Sequence, residues 1–154
     1  MVAFLASATL SALTLGGVQT YKGARIDAAD DSAARQTVLD AAKSTTVKML
    51  TYTPDNVDQL TSVLPQLTGK FRDTYSDLIK STVIPAAHQN NVTATADVAA
   101  VGVESLTPDE AAVIAYIDQT VTVGTEAPTD TASSFRLGLK LIDGHWLVEK
   151  FDPI

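Results

Sequence analysis

Residues 133–151, SSFRLGLKLIDGHWLVEKF, decide the fold of this chain. Phe135, Leu137, Leu139 and Leu141 alternate with Arg136 and Lys140. That is the period-two pattern of a strand with one face turned to a core. Asp143–Gly144 follows, a dipeptide suited to the two positive φ angles of a two-residue hairpin turn. Beyond it Trp146 and Val148 alternate toward the inner face, so His145–Phe151 reads as the partner strand, ending at Asp152–Pro153. An antiparallel hairpin therefore closes the chain.

Upstream the same period continues. Glu110–Val123 reads as a strand, with Val113, Ala115, Ile117, Gln119, Val121 and Val123 on one face. Val92–Leu106 alternates loosely and is rich in β-branched residues, a strand with a bulge expected near Gly102. GTEAPTDT, residues 124–131, reads as a loop. Before His88 the period becomes helical. Ala28–Tyr52 has Asp30 and Asp31 in its first turn and a stripe of Leu39, Ala42, Thr46 and Leu50, with Val38, Ala41 and Met49 beside it. Pro54–Asp55 makes a turn, and a short helix from Asn56 to Leu64 is interrupted at Pro65. Thr68 is the expected cap of a further helix carrying Phe71, Tyr75, Leu78, Ile79 and Val83, which Pro85 is expected to stop. Helices first and strands afterwards mean α+β, with helices packed on a curved four-stranded antiparallel sheet.

Residues 1–21, MVAFLASATLSALTLGGVQTY, carry no charge. Val2–Val18 give about 17 apolar or small residues, the lower limit for spanning hydrocarbon, and Tyr21, Lys22 and Arg25 suit the interface. We read 1–21 as a transmembrane anchor, 22–30 as a juxtamembrane linker and 31–154 as the domain. A cleaved signal peptide and a buried soluble helix are the other readings. The first lacks an opening basic residue and the second lacks a polar face. The missing basic residues before Val2 also lead us to expect a natural start upstream of Met1.

Composition limits the function. A hydrophobic fraction of 45% with 19% charged residues excludes a disordered chain. The net charge of −7, with no basic stripe, argues against nucleic acid as a partner. With no cysteine there is no disulfide, thiolate metal site, cysteine nucleophile or lipoprotein anchor. His88 and His145 read as solvated residues without metal-ligand spacing, His88 in a surface loop, and phosphate-binding, nucleophile-elbow and calcium-loop motifs are missing. No catalytic, cofactor-binding or metal-binding residue is assigned.

Asp118 is the sharpest candidate for a buried base, with Asp97 second; a solvated strand acid is the competing reading of each. By parity Asp118 shares a face with Ile114 and Tyr116, opposite Val113 and Ile117. Phe71, Tyr75, Tyr116, Asp118, Phe135 and Trp146 are the candidates to line a pocket, with a lipid or sterol as its ligand; a packed core is the alternative for the aromatics. Thr120–Ser134 reads as a long, nearly uncharged connection, and Thr122, Thr125, Pro128, Thr129 and Asp130 are its candidates for contact with a partner protein.

Three strings carry a family resemblance: VLDAAKSTTVKMLTYTPDNVD, LTGKFRDTYSDLIKSTVIPAA and DQTVTVGTEAPTDTASSFRLGLKLIDGHWLVEKFDP. They resemble the Mce-associated membrane proteins of mycobacteria and relatives, from about Asp31 to Ile154. The resemblance implies a cystatin-like or nuclear-transport-factor-2-like cone, and a single-pass inner-membrane protein with its domain on the periplasmic side of an actinobacterial envelope. It also implies a non-catalytic accessory role alongside the transporter subunits of an Mce lipid or sterol transport system. Two alternatives remain: an inner-membrane scaffold subunit of type IV secretion, which shares the anchor-then-domain layout, and a ketosteroid-isomerase-like enzyme or lipid binder with Asp118 or Asp97 inside a deep pocket.

Overall fold

The computed structural model describes residues 13–154, with side chains from Asp30 onward. Residues 1–12, the first part of the expected anchor, lie outside the described residues. The chain divides into two compact units between Ala34 and Arg35. Helix α1 runs Leu13–Leu50. Residues 22–30, expected as a linker, are helical, since alanines favour a helix and proline is missing from the whole span. Among the described residues, no helix is long and apolar enough to cross a membrane.

Within Arg35–Ile154, α1 turns Val38, Ala42, Thr45, Thr46 and Met49 to the core, and Leu39 and Leu50 flank that stripe. The buried line is thus rotated slightly from the expected one, with Thr45 held through its hydroxyl to the Gln66 side chain at 3.3 Å. Asn56 accepts a hydrogen bond from the Thr53 amide at 2.7 Å and orders the turn at Pro54. Val57–Gln66 is a 3₁₀ helix that carries Pro65 inside it and buries Val57, Leu60 and Val63. Helix α2 spans Gly69–Leu78; Thr68 stands at its N-cap without a side-chain capping bond, and its amide donates to Val148 instead.

Pro85 does not stop the next helix. The chain widens into a π-helical turn, Ile79–Val83, where the Ile84 amide reaches the Ile79 carbonyl, and α3 follows as Ile84–Asn90 with Pro85 in its first turn. A proline cannot donate there and crowds the preceding carbonyls, so a wider turn accommodates the ring. Asn91 ends α3 in the left-handed region, φ 52°. His88, expected in a loop, is therefore an exposed residue of α3, 3.1 Å from Asp58 of the 3₁₀ helix.

The sheet is an open antiparallel meander in the order β1 (Val92–Leu106), β2 (Glu110–Val123), β3 (Thr129–Ile142), β4 (His145–Pro153). Asp143 and Gly144 take φ 51° and 78°, as a tight β3–β4 turn demands. Two bulges in β1, between Val98 and Ala100 and between Val103 and Ser105, flank Gly102 rather than fall on it. The expected 124–131 loop shrinks to residues 124–128, because Thr129, Asp130 and Thr131 pair with Val121, Thr120 and Gln119. Both edge strands are partly covered: Tyr52 exchanges backbone hydrogen bonds with Ala94 of β1, and Leu67 bridges Val148 of β4.

One sheet face carries the core. Val98, Val113, Ala115, Ile117, Leu137, Leu139 and Val148 are buried there with Leu60, Leu67, Tyr75 and Ile79 from the helical layer. Leu141, expected inward, is 37% exposed beside the hairpin end.

Candidate functional site

The two faces of the sheet distribute the candidate residues. On the inner side Phe135 stacks on Phe151 at 4.4 Å, Phe151 on Phe71 at 6.1 Å, and Phe71 meets Tyr75 at 6.2 Å. Tyr75 is buried and donates its hydroxyl to the Met49 carbonyl at 2.9 Å. That carbonyl belongs to the last turn of α1, where intrahelical donors run out. Burial, and secondarily the neighbouring Tyr52, push the Tyr75 hydroxyl well above the usual tyrosine range. Phe71 and Phe151 also reach a surface cleft of about 910 Å³ rimmed by Lys70, Lys140 and Glu149. Trp146 lies elsewhere, in a hollow of about 430 Å³ with Thr45 and Gln66.

Tyr116 and Asp118 are not with them. Both project from the opposite, open face, where Tyr116 is 56% exposed. Parity places them together, but the helices cover the other side. The six candidates therefore do not converge on one pocket, and neither Asp118 nor Asp97 is an inward base, since both stand exposed. Among the described residues, no group of three histidines or acids is arranged to hold a metal ion.

On the open face the registers set the pattern. Asp97 of β1 lies directly opposite Asp118 of β2, and Ala132 of β3 continues the row. The next row is Ala100, Tyr116 and Ser134, and the one after it Gly102, Ile114 and Arg136. A shallow groove of about 620 Å³ runs along the acidic end, lined by Thr95, Asp97, Asp118, Thr120, Asp130 and Ala132. Thr120 donates its hydroxyl to the Asp130 carboxylate at 2.6 Å.

At the other end the cations are already matched. Arg136 holds Glu104 through two contacts of 2.8 and 3.0 Å, and this hydrogen bonding pushes its pKa above the usual range. Lys140 is raised likewise by its hydrogen bond to Glu149 at 3.1 Å. The contact candidates are split: Thr122, Thr129 and Asp130 belong to strands, while Thr125 and Pro128 lie in the exposed β2–β3 turn.

Two features have no signature in the alternation pattern. Phe151 closes the last strand with nothing in the sequence to mark it, yet it joins Phe71 to Phe135. The Asp97–Asp118 opposition was invisible because two bulges reset the β1 register, and alternation cannot count through a bulge.

No family model matches the chain. "Outer membrane protein Rv1973" of Mycobacterium tuberculosis is 43% identical over 126 residues, which is 81% of this chain and 79% of that protein. The chain belongs to the family of that mycobacterial protein. Among solved structures, an IcmL-like type IV secretion system protein from Legionella pneumophila matches with a TM-score of 0.65 at 15% identity, over 78% of this chain and 93% of that one. CagV from Helicobacter pylori, a VirB8 homologue of a type IV secretion system, matches with a TM-score of 0.55 at 11% identity, over 77% and 98%. At such identities the likeness is one of fold. The α+β domain, with helices on one face of an open four-stranded sheet, is the fold of these secretion-system proteins.

Proposed function

We propose that this chain is a non-catalytic scaffold domain of the cell envelope, tethered by residues 1–21 to the inner membrane and working on its outer side through protein contacts. The observation that carries the proposal is the fold match to secretion-system domains over 93% and 98% of their length. The name of the mycobacterial relative supports an envelope address. The exposed positions of Asp97 and Asp118 favour a contact surface over a buried general base.

Two assemblies compete for such a domain. A type IV secretion complex is favoured by the fold. An Mce lipid or sterol transporter is favoured by the sequence strings, above all residues 133–151, and would make the chain an accessory subunit beside the transporter subunits.

The test is to tag the chain at its C-terminus in an actinobacterial host, extract it in mild detergent and identify what co-purifies. Mce substrate-binding subunits or their permease select the transporter; secretion components select the other assembly; recovery of the chain alone refutes the scaffold reading. Because the chain has no cysteine, Thr125→Cys gives a single thiol. We expect a membrane-impermeant maleimide to label it in intact spheroplasts. Labelling only after lysis would put the domain on the cytoplasmic side.

A further inference from the structure

We propose that the open face of the sheet around Tyr116, Asp97 and Asp118 docks an extended, arginine-bearing protein segment. The proposal rests on the scaffold reading and names the surface and the chemistry of the partner.

Three observations converge. Within Arg35–Ile154 the helices pack on the opposite side, and this face presents an aromatic ring at 56% exposure between the small residues Ala100 and Ser134. Beside that ring lies a groove of about 620 Å³ that crosses β1, β2 and β3 at Asp97, Asp118 and Ala132. The groove carries charge of one sign, from Asp97, Asp118 and Asp130. Asp97 and Asp118 make no ion pair among the described residues, whereas Arg136 and Lys140 at the far end are matched by Glu104 and Glu149.

The alignment of the acids points to the partner's chemistry. Directly opposed residues of neighbouring strands hold their Cβ atoms about 5 Å apart, and like charges there repel. A guanidinium laid between two such carboxylates would remove the repulsion and could hydrogen-bond both, because its donors form a planar fork. Its other face would lie against Tyr116, whose π system attracts a cation. A lysine offers the charge without the fork or the stacking plane.

A second copy docked face to face fits poorly. Of the basic residues on this face, Arg136 and Lys140 are engaged, which leaves Lys150 to meet the acids of a facing copy. The other exposed arginines and lysines of the domain, Arg72 and Lys80 among them, sit on helices rather than on an extended segment. The occupant we propose is a basic extended segment of a different protein.

The experiment titrates the full chain, in neutral detergent, with a synthetic peptide of alternating arginine and valine, followed by calorimetry. A glutamate–valine peptide serves as the control. We expect saturable binding of the first peptide alone. The Asp97→Asn, Asp118→Asn double variant should weaken it by at least about fivefold, and Tyr116→Ser should weaken it with the charge intact. Asp73→Asn with Asp77→Asn, exposed acids of α2, should leave it unchanged.

No binding, or equal loss in the α2 variant, overturns the proposal; the latter outcome means diffuse attraction to an acidic protein. Self-association of the free chain that disappears in the Asp97, Asp118 variant would also overturn it, in favour of a second copy. The tagged chain separates this surface from the scaffold reading. Partners lost from the double variant support the docking face. Partners retained refute the face and leave the scaffold role standing. Nothing co-purifying with the wild type removes both.

Discussion

At Tyr75 a buried hydroxyl satisfies the last-turn carbonyl of Met49, so one side chain joins α2 to the end of α1. Tyr75→Phe leaves that carbonyl without its partner, and we expect a loss of about 1–2 kcal/mol in urea unfolding. The same group predicts an alkaline limb. Its folded pKa is raised, so the neutral form is favoured in the folded state. The stabilisation is complete below the unfolded value of about 10 and declines as pH climbs from there toward the folded value. Tyr75→Phe should flatten that decline, measured as unfolding free energy against pH. Asp118 makes the opposite case. It faces Asp97 with no ion pair to either among the described residues, and Asp118→Asn should raise stability by roughly 0.2–1 kcal/mol in the same assay. Stability gained where docking is lost is the behaviour expected of a residue kept for binding.

The elements show how far the sequence speaks and where it stops. Strands β1 and β2 lie at the bounds their alternation implies, and the β3–β4 turn sits at Asp143–Gly144, because these signals depend on neighbouring residues alone. Gly144 tests that locality. A Cβ there would meet nothing within 4 Å, so Gly144→Ala acts only through its positive φ. We expect a cost of about 1–2 kcal/mol in thermal unfolding, with Asp143→Asn nearly neutral. Local signals are outvoted at two places. Pro85 signals a stop, yet the π-helical turn lets α3 proceed. Thr129–Thr131 carry loop chemistry, yet cross-strand pairing with β2 recruits them. The site was less legible than the fold. Parity grouped Tyr116 with Asp118, but which face the helices would cover depends on long-range packing that no short window contains.

For the whole molecule, Arg35–Ile154 holds the described core, including the 35–50 part of α1. A chain beginning at Asp31 should therefore melt at the same temperature as the full protein, followed by circular dichroism. A markedly lower transition would mean that the earlier residues support the fold. The meander has a further consequence, in time rather than in space. Every strand pairs with its sequence neighbour, so the sheet can assemble hairpin by hairpin with short loop closures. The helices, however, leave the ribosome first. Val38, Ala42 and Met49 must wait for Val113, Leu137 and Val148 before their apolar surface has anything to cover it. During synthesis the N-terminal half is an unfinished core looking for a partner, and a holdase chaperone bound to that stripe would bridge the interval.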